Sequence, residues 1–258
     1  MRVTAPVVAE VAVPPAVGAL DGAWRLLLRL AGDPQAPPWV LVGGLMVELH
    51  AHEHGAAPPR ETEDADVLVD LRARPGGLRW MVDWLQRHDL HLASVGPDDI
   101  GHRFVSSAGV SVDVLAPDHL GGRADLRTVP PARTIEAVAG TALLRRSQAV
   151  RITYGEEIGT VHRPDVASAV LGKYRAYAEG AAAPGRPRER HLEDAALLLS
   201  LLPDPRAAAT ELPPADCRRV GALAELLQEN HPAWRATTRP ADGQAALALL
   251  ARASADST

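Results

Sequence analysis

The sequence predicts an α+β chain: a mixed sheet with flanking helices, followed by an all-helical C-terminal region. Three observations predict it. Short apolar runs, several of them alternating, are separated by helix-length segments as far as about residue 162. Composition changes at Arg163-Pro164, beyond which the pattern is helical. The breaks Pro184-Gly185-Arg186-Pro187 and Leu202-Pro203-Asp204-Pro205 then cut the second half into separate helices. The expected division is a loose arm over 1–20, an α/β domain over 21–162 and a helical domain over 163–258.

The arm is rich in Pro and Val without a period. Asp21 is placed to cap a helix through about Leu30, on which Trp24, Leu27 and Leu28 recur at helical spacing. Pro37-Pro38 stops that helix and leads into a strand over 39–42. Gly44 to about His54 reads as the next helix, closed by Gly55. A loop over 55–63 delivers a strand over 64–70. Helix 77–88 follows, with Leu78, Met81, Val82 and Leu85 as its apolar stripe. Strands near 102–106 and 109–115 are joined by Ser107-Ala108-Gly109, and two β segments within 148–161 flank Gly155 as in a hairpin. The C-terminal helices fall at about 164–179, 188–202, 214–229 and 241–254.

Composition bounds the function. The chain has 258 residues, 47% apolar and 23% charged, the proportions of an ordinary globular protein. Cys217 is the only cysteine, so no intrachain disulfide can form and a reducing compartment is expected. No apolar run approaches the roughly 20 residues that span a bilayer. Met1 to Leu20 lacks the continuous apolar core of an export signal, so a cytoplasmic protein with no membrane partner is expected. A net charge of −5 argues against a broad nucleic-acid surface, and 3% aromatics offer no base-stacking platform. Both leave room for a local basic patch.

The chemistry concentrates in a few places. The strand 39–42 runs into Gly43-Gly44 and then a helix, a junction whose free backbone N–H groups suit a phosphate. In the strand 64–70, Asp64 and Asp66 share one face with Leu68, while Ala65, Val67 and Val69 share the other. An acidic face must meet water or a metal, since unpaired buried carboxylates are too costly. A solvated strand edge is the plainer alternative. In Val110-Ser111-Val112-Asp113-Val114-Leu115 the valines alternate and Asp113 points away from them. Placed on an adjacent strand, it completes a three-carboxylate cage for Mg2+ (or Mn2+) on a nucleoside triphosphate.

Lys173 falls inside the inward stripe Val166, Ala169, Val170, Tyr174 and Tyr177. It is either a snorkelling side chain or a counter-charge for phosphate. His191 and Asp194 are three apart on the next helix, where Asp194 either orients Lys173, binds substrate or simply favours the helix dipole. Arg186, Arg188 and Arg190 lie between these two helices, where they can steer an anionic second substrate. His50, His52 and His54 include an i, i+4 pair, but the order H-E-x-x-H is absent and a helix C-terminus accommodates histidines, so zinc is not favoured. Walker, G-x-G-x-x-G and G-x-S-x-G patterns are absent too.

With those residues in hand, the chain resembles the AbiEii-type nucleotidyltransferases, toxin components of bacterial type IV toxin–antitoxin systems that include the MenT-like proteins. The family's Gly-Gly pair and Arg-x-Thr-x-Asp-x-Asp motif match Gly43, Gly44, Arg60, Thr62, Asp64 and Asp66. Its Val-Asp-Val strand matches Asp113, preceded here by His102-Arg103-Phe104. Its later lysine and basic residue before x-x-Asp match Lys173, Arg190 and Asp194. The resemblance runs from about Trp39 to Leu202; Glu63 and the long Pro-rich loop 180–187 depart from it, and the helices after 203 match nothing in it.

The resemblance implies a nucleotidyltransferase-like fold and transfer of a nucleoside monophosphate from an NTP to an acceptor, in some members the 3′ end of tRNA. It implies Asp64, Asp66 and Asp113 as metal ligands, with Lys173 and Asp194 also catalytic. Gly43, Gly44, Arg60, Thr62 and Lys173 would hold nucleotide. Arg186, Arg188 and Arg190 would contact RNA, and an antitoxin protein would be a partner. A small-molecule nucleotidyltransferase of the antibiotic-modifying kind and a non-catalytic binding protein of the same fold are the alternatives.

Overall fold

Alternating valines and glycine-led turns give the first half of the chain two sheets, and the second half is helical. The computed structural model describes residues 6–60, 62, 64–122, 124–180 and 187–255. Glu61, Glu63, Arg186 and most of the 180–187 loop therefore lie outside the described residues. In chain order the elements are β1 (Val7–Ala12), α1 (Gly18–Gly32), β2 (Trp39–Val42), α2 (Gly43–Glu53), β3 (Asp64–Val69) and α3 (Gly77–Arg87). Next come β4 (Leu90–Leu92), β5 (Arg103–Ser106), β6 (Ser111–Pro117), β7 (Glu136–Ala137), α4 (Gly140–Arg145), β8 (Ser147–Tyr154) and β9 (Glu157–Pro164). The helices α5 (Val166–Ala178), α6 (Arg190–Ser200), α7 (Pro205–Thr210), α8 (Pro214–Leu226) and α9 (Pro240–Ala255) follow.

The chain divides into two compact units, Met1–Leu49 with Glu61–Pro164 and His50–Arg60 with Asp165–Thr258. In the first, the larger sheet has the order β2-β3-β6-β5-β4, with β7 added beside β6, and the smaller has the order β1-β8-β9. The central pair β3–β6 is parallel, while β2–β3 and β5–β6 are antiparallel, so the sheet is mixed as expected. Its Ala65, Val67, Val112 and Val114 side chains are buried on one face, where α1 and α3 pack.

The opposite face changes character along its length. Toward the C-terminal end of β3, Val40, Val42, Leu68 and Leu115 form an apolar cluster with Ala139 and Leu143 of the α4 region. Asp118 secures α4 from outside the helix: its carboxylate accepts from the backbone N–H groups of Ala139 (3.1 Å) and Thr141 (2.8 Å). Those are N-terminal donors with no partner of their own. That covering helix leaves the acidic half of the same face at the start of β3.

Residues 7–12 correct the expectation of a loose arm. They form β1, parallel to β8, with Val11 and Val13 buried. The alternation Val7, Ala9, Val11, Val13 offers a half-buried strand that the surrounding prolines obscure. Helix α1 also begins earlier than expected, with Val17 as its N-cap. Asp21 is no cap; it accepts from Arg25 and from the Tyr154 hydroxyl (2.8 Å).

In the helical unit, α5 is capped by Asp165, whose carboxylate accepts from Ser168 N at 2.8 Å. Helix α6 is buried from Asp194 to Ser200, with α5 on one side and α9 on another. A helix enclosed in this way has no solvated side for a polar residue, so any charge on it requires partners. No described helix is long and apolar enough to cross a membrane.

Candidate active site

The first unit gathers its acids by strand register. Asp66 on β3 lies directly opposite Asp113 on β6, and the pair is parallel, so both side chains leave the same face. Asp64 shares that face two residues earlier. On the other side of β6, Arg103 is the register partner of Asp113. The face thus carries a row across three strands: Asp66, Asp113, Arg103.

Arg103 ties the row together. Its Nε and Nη2 donate to Asp113 at 2.7 and 2.6 Å, and Nη2 reaches Asp64 at 2.5 Å. The hydrogen bonds to Asp113, reinforced by the charges of Asp64 and Asp66, hold the guanidinium well above its ordinary pKa. Arg103 thereby bridges Asp64 and Asp113. The acidic face is not the solvated strand edge of the plainer alternative, since Asp64 and Asp113 are buried and Asp66 is half-buried. The guanidinium is what makes that burial tolerable. His102 lies beside the same row, 4.0 Å from the Asp113 carboxylate.

The glycine pair serves the acids at close quarters. Gly43 has φ +70°, and a Cβ there would run into the carboxylate of Asp66. A Cβ on Gly44 would meet the buried Thr62 side chain, with Oγ1 at 2.5 Å. The start of α2 therefore sits against Asp66 and Thr62. A carboxylate at a helix N-terminus is stabilised by the free N–H groups there. Gly43→Ala is expected to lose both the left-handed backbone, about 1–2 kcal/mol, and the space for Asp66. Chemical denaturation should register a loss larger than the backbone figure alone.

The second unit holds a separate cluster. Asp194 on α6 is fully buried. Lys173 Nζ on α5 lies 2.8 Å from Asp194 Oδ2, and Arg60 grips the same carboxylate through both terminal nitrogens. Burial raises the Asp194 pKa, but the charges of Lys173 and Arg60 outweigh it and hold the carboxyl below its usual range. Lys173 is therefore no snorkelling residue; it is buried and ion-paired. Asp194 does bind Lys173, one of its three expected roles, and Arg60 is committed to the same anion.

His191 stands beside this cluster. Burial, then the charges of Lys173 and Arg190, push its pKa down to about 4 from 6.5. The unfolded chain takes up this proton as pH falls through 6.5, whereas the native chain does so only near 4. His191 is thus expected to cost stability as pH drops across that window. His191→Gln should flatten a plot of unfolding free energy against pH there.

Of the basic residues on the loop, Arg188 is turned inward. It donates to the Tyr177 backbone carbonyl and stacks over the Tyr177 ring, 5.5 Å from its centroid. Arg190 opens α6 and Arg186 is outside the described residues.

The sequence reading named Arg103 only as a neighbour of the Asp113 strand and gave it no role, although the signal was present. The turn at Ser107-Ala108-Gly109 fixes the β5–β6 register, with Phe104 opposite Val112 and so Arg103 opposite Asp113. Among the described residues, one group of three metal-capable side chains has ligand atoms all within 4.8 Å of one another: His50, Glu53 and His54. It can take a divalent cation, and it is not the carboxylate set.

No protein-family model matches the chain, and no curated protein matches it. Among solved structures, the CD-NTase CdnG of Bradyrhizobium diazoefficiens in complex with GTP matches with 12% identity and a TM-score of 0.26. The match covers 90% of this chain and 83% of that one. So slight a likeness decides neither family nor activity.

Proposed function

We propose that the chain is a nucleotidyltransferase that uses Mg2+ (or Mn2+) to move a nucleoside monophosphate from an NTP to an acceptor hydroxyl. The observation that carries this reading is the in-register pair Asp66 and Asp113 beside the N-terminus of α2. The donor set fits the metal: of the three carboxylates on one face, Asp64 and Asp113 already hold a cation, the Arg103 guanidinium. Oxygen-only donors suit magnesium, which keeps waters and substrate phosphates in its remaining positions.

Asp64, Asp66 and Asp113 would hold the metal, and it would supply charge neutralisation for in-line displacement at the α-phosphate. The backbone N–H groups at Gly43 and Gly44 are donors for phosphate oxygens. Asp113 accepts the proton of the attacking hydroxyl. Arg103 must yield part of its hold on Asp64 and Asp113 and becomes available to phosphate.

Arg103→Gln separates these roles. Without divalent ions it removes the guanidinium that Asp64 and Asp113 share, so its melting temperature is expected to fall. Magnesium should restore most of that loss, because one cation replaces another. A melting temperature indifferent to magnesium would count against a metal at these acids.

For the acceptor, we infer the 3′ end of an RNA, with the protein acting as the toxin of a type IV pair beside a cognate antitoxin. The motif order Arg60-x-Thr62-x-Asp64-x-Asp66 supports it. The small-molecule alternative is favoured by the net charge of −5 and by Arg188 being engaged with Tyr177. Labelled NTPs incubated with total RNA, and separately with hydroxylated small molecules, choose between them. Labelled RNA supports the toxin reading; label only on a small compound replaces it. Replacing Arg186, Arg188 and Arg190 with Gln should weaken RNA labelling and flatten its salt dependence, by about 0.7 in log–log slope per lost phosphate contact.

A further inference from the structure

We propose that His50, Glu53 and His54 form a second metal site, for a zinc-class ion and not magnesium, at the C-terminal turn of α2. The helix places them at i, i+3 and i+4, hence on one side, and one ligand atom from each lies within 4.8 Å of the others. Read in order they spell His-x-x-Glu-His, the reverse of the absent H-E-x-x-H, and two histidines one turn apart are a recurring zinc pair.

Three further features support a ligand set. His50 is fully buried, unlike a histidine kept only for the helix dipole. Its Nδ1 lies 3.8 Å from Glu53 Oε2, so an acid and an imidazole already converge. The Nδ1 of His54 contacts the His50 carbonyl at 2.9 Å. A carbonyl only accepts, so Nδ1 carries the hydrogen and Nε2 keeps the lone pair. That second hydrogen bond is the usual support of a metal-bound imidazole.

Two imidazoles and a carboxylate select Zn2+, Co2+ or Ni2+ over magnesium. Three protein ligands leave a position for water. The ion would pin the last turn of α2, from which the segment 55–60 departs to bring Arg60 onto Asp194, all within the helical unit. The inference does not depend on the nucleotidyltransferase reading.

The test uses untagged full-length protein, stripped of metal, titrated with Zn2+ alone by calorimetry in millimolar Mg2+. The same protein loaded with Co2+ is examined for visible absorption. Expected are about one Zn2+ per chain, a d–d spectrum of a four- or five-coordinate cobalt, and a zinc-dependent rise in melting temperature. Glu53→Gln, which keeps the side chain's size, and His54→Gln, at an exposed position, should each weaken zinc binding by more than about tenfold. Asp66→Asn should leave zinc binding unchanged. No zinc uptake by the wild-type chain, or equal uptake in Glu53→Gln and His54→Gln, overturns the site. If Asp66→Asn also abolishes uptake, the bound ion belongs to the carboxylates and this proposal fails while the magnesium reading stands.

Discussion

Asp66→Asn is expected to reduce metal-dependent nucleotide transfer by roughly two to three orders of magnitude, the size of effect seen when one transition-state stabiliser is removed. The melting temperature should barely change. Asparagine keeps the shape that fits against Gly43, where a Cβ would collide, and Asp66 is only half-buried. Asp64→Asn is the less clean variant, because it also removes a partner from Arg103 at 2.5 Å. Transfer of label from an α-labelled NTP, measured across a magnesium titration alongside thermal melts, makes the comparison. An Asp66→Asn protein with wild-type turnover at saturating magnesium would end the carboxylate mechanism.

The acids were legible from sequence because period two in a strand is unambiguous once Val112, Val114, Val67 and Val69 are seen to alternate. Their neighbours were less so. That Asp113 meets Asp66 is a statement about strand order, and order follows from how helices cover the two faces of the sheet. One of those helices, α4, is only six residues long and is secured by Asp118, some twenty positions away, so no local pattern announces it. Arg103 was readable through the hairpin register, which sets it opposite Asp113.

The second cluster shows a different limit. Lys173 in an apolar stripe and Asp194 ahead of an apolar run each look anomalous alone, and neither names its partner. Arg60 comes from before β3, more than a hundred residues away from Asp194. Its motif position suggested nucleotide; its observed bonds are to protein. Likewise the segment 50–60 groups with the helical unit although it sits inside the first half of the sequence, so a division drawn by composition alone could not place it.

Asp194→Asn is expected to be the most destabilising single change in the helical unit, by about 3–5 kcal/mol. That is a large share of the roughly 5–15 kcal/mol that holds a domain folded. The reason is asymmetry. Asp194 is fully exposed to none of the solvent, and Lys173 is nearly as deep, whereas the Arg60 side chain is 31% exposed. Losing the carboxylate leaves the Lys173 ammonium buried beside a neutral amide, while Arg60 can turn to water. Lys173→Met with Asp194→Leu should recover much of the loss, since apolar side chains of similar size often replace a buried pair at little cost. Acid gives an independent reading. Because the native carboxyl titrates below its ordinary 3.8, the stability it contributes is present above that value and is lost as pH falls through the lowered one. Denaturant unfolding of wild type should therefore weaken below about pH 4 by an amount that Asp194→Asn does not show. If the variant unfolds at the wild-type midpoint at pH 7, the cluster is not what holds α5 against α6, and the apolar residues Leu192 and Ala195 to Leu199 carry that contact without it.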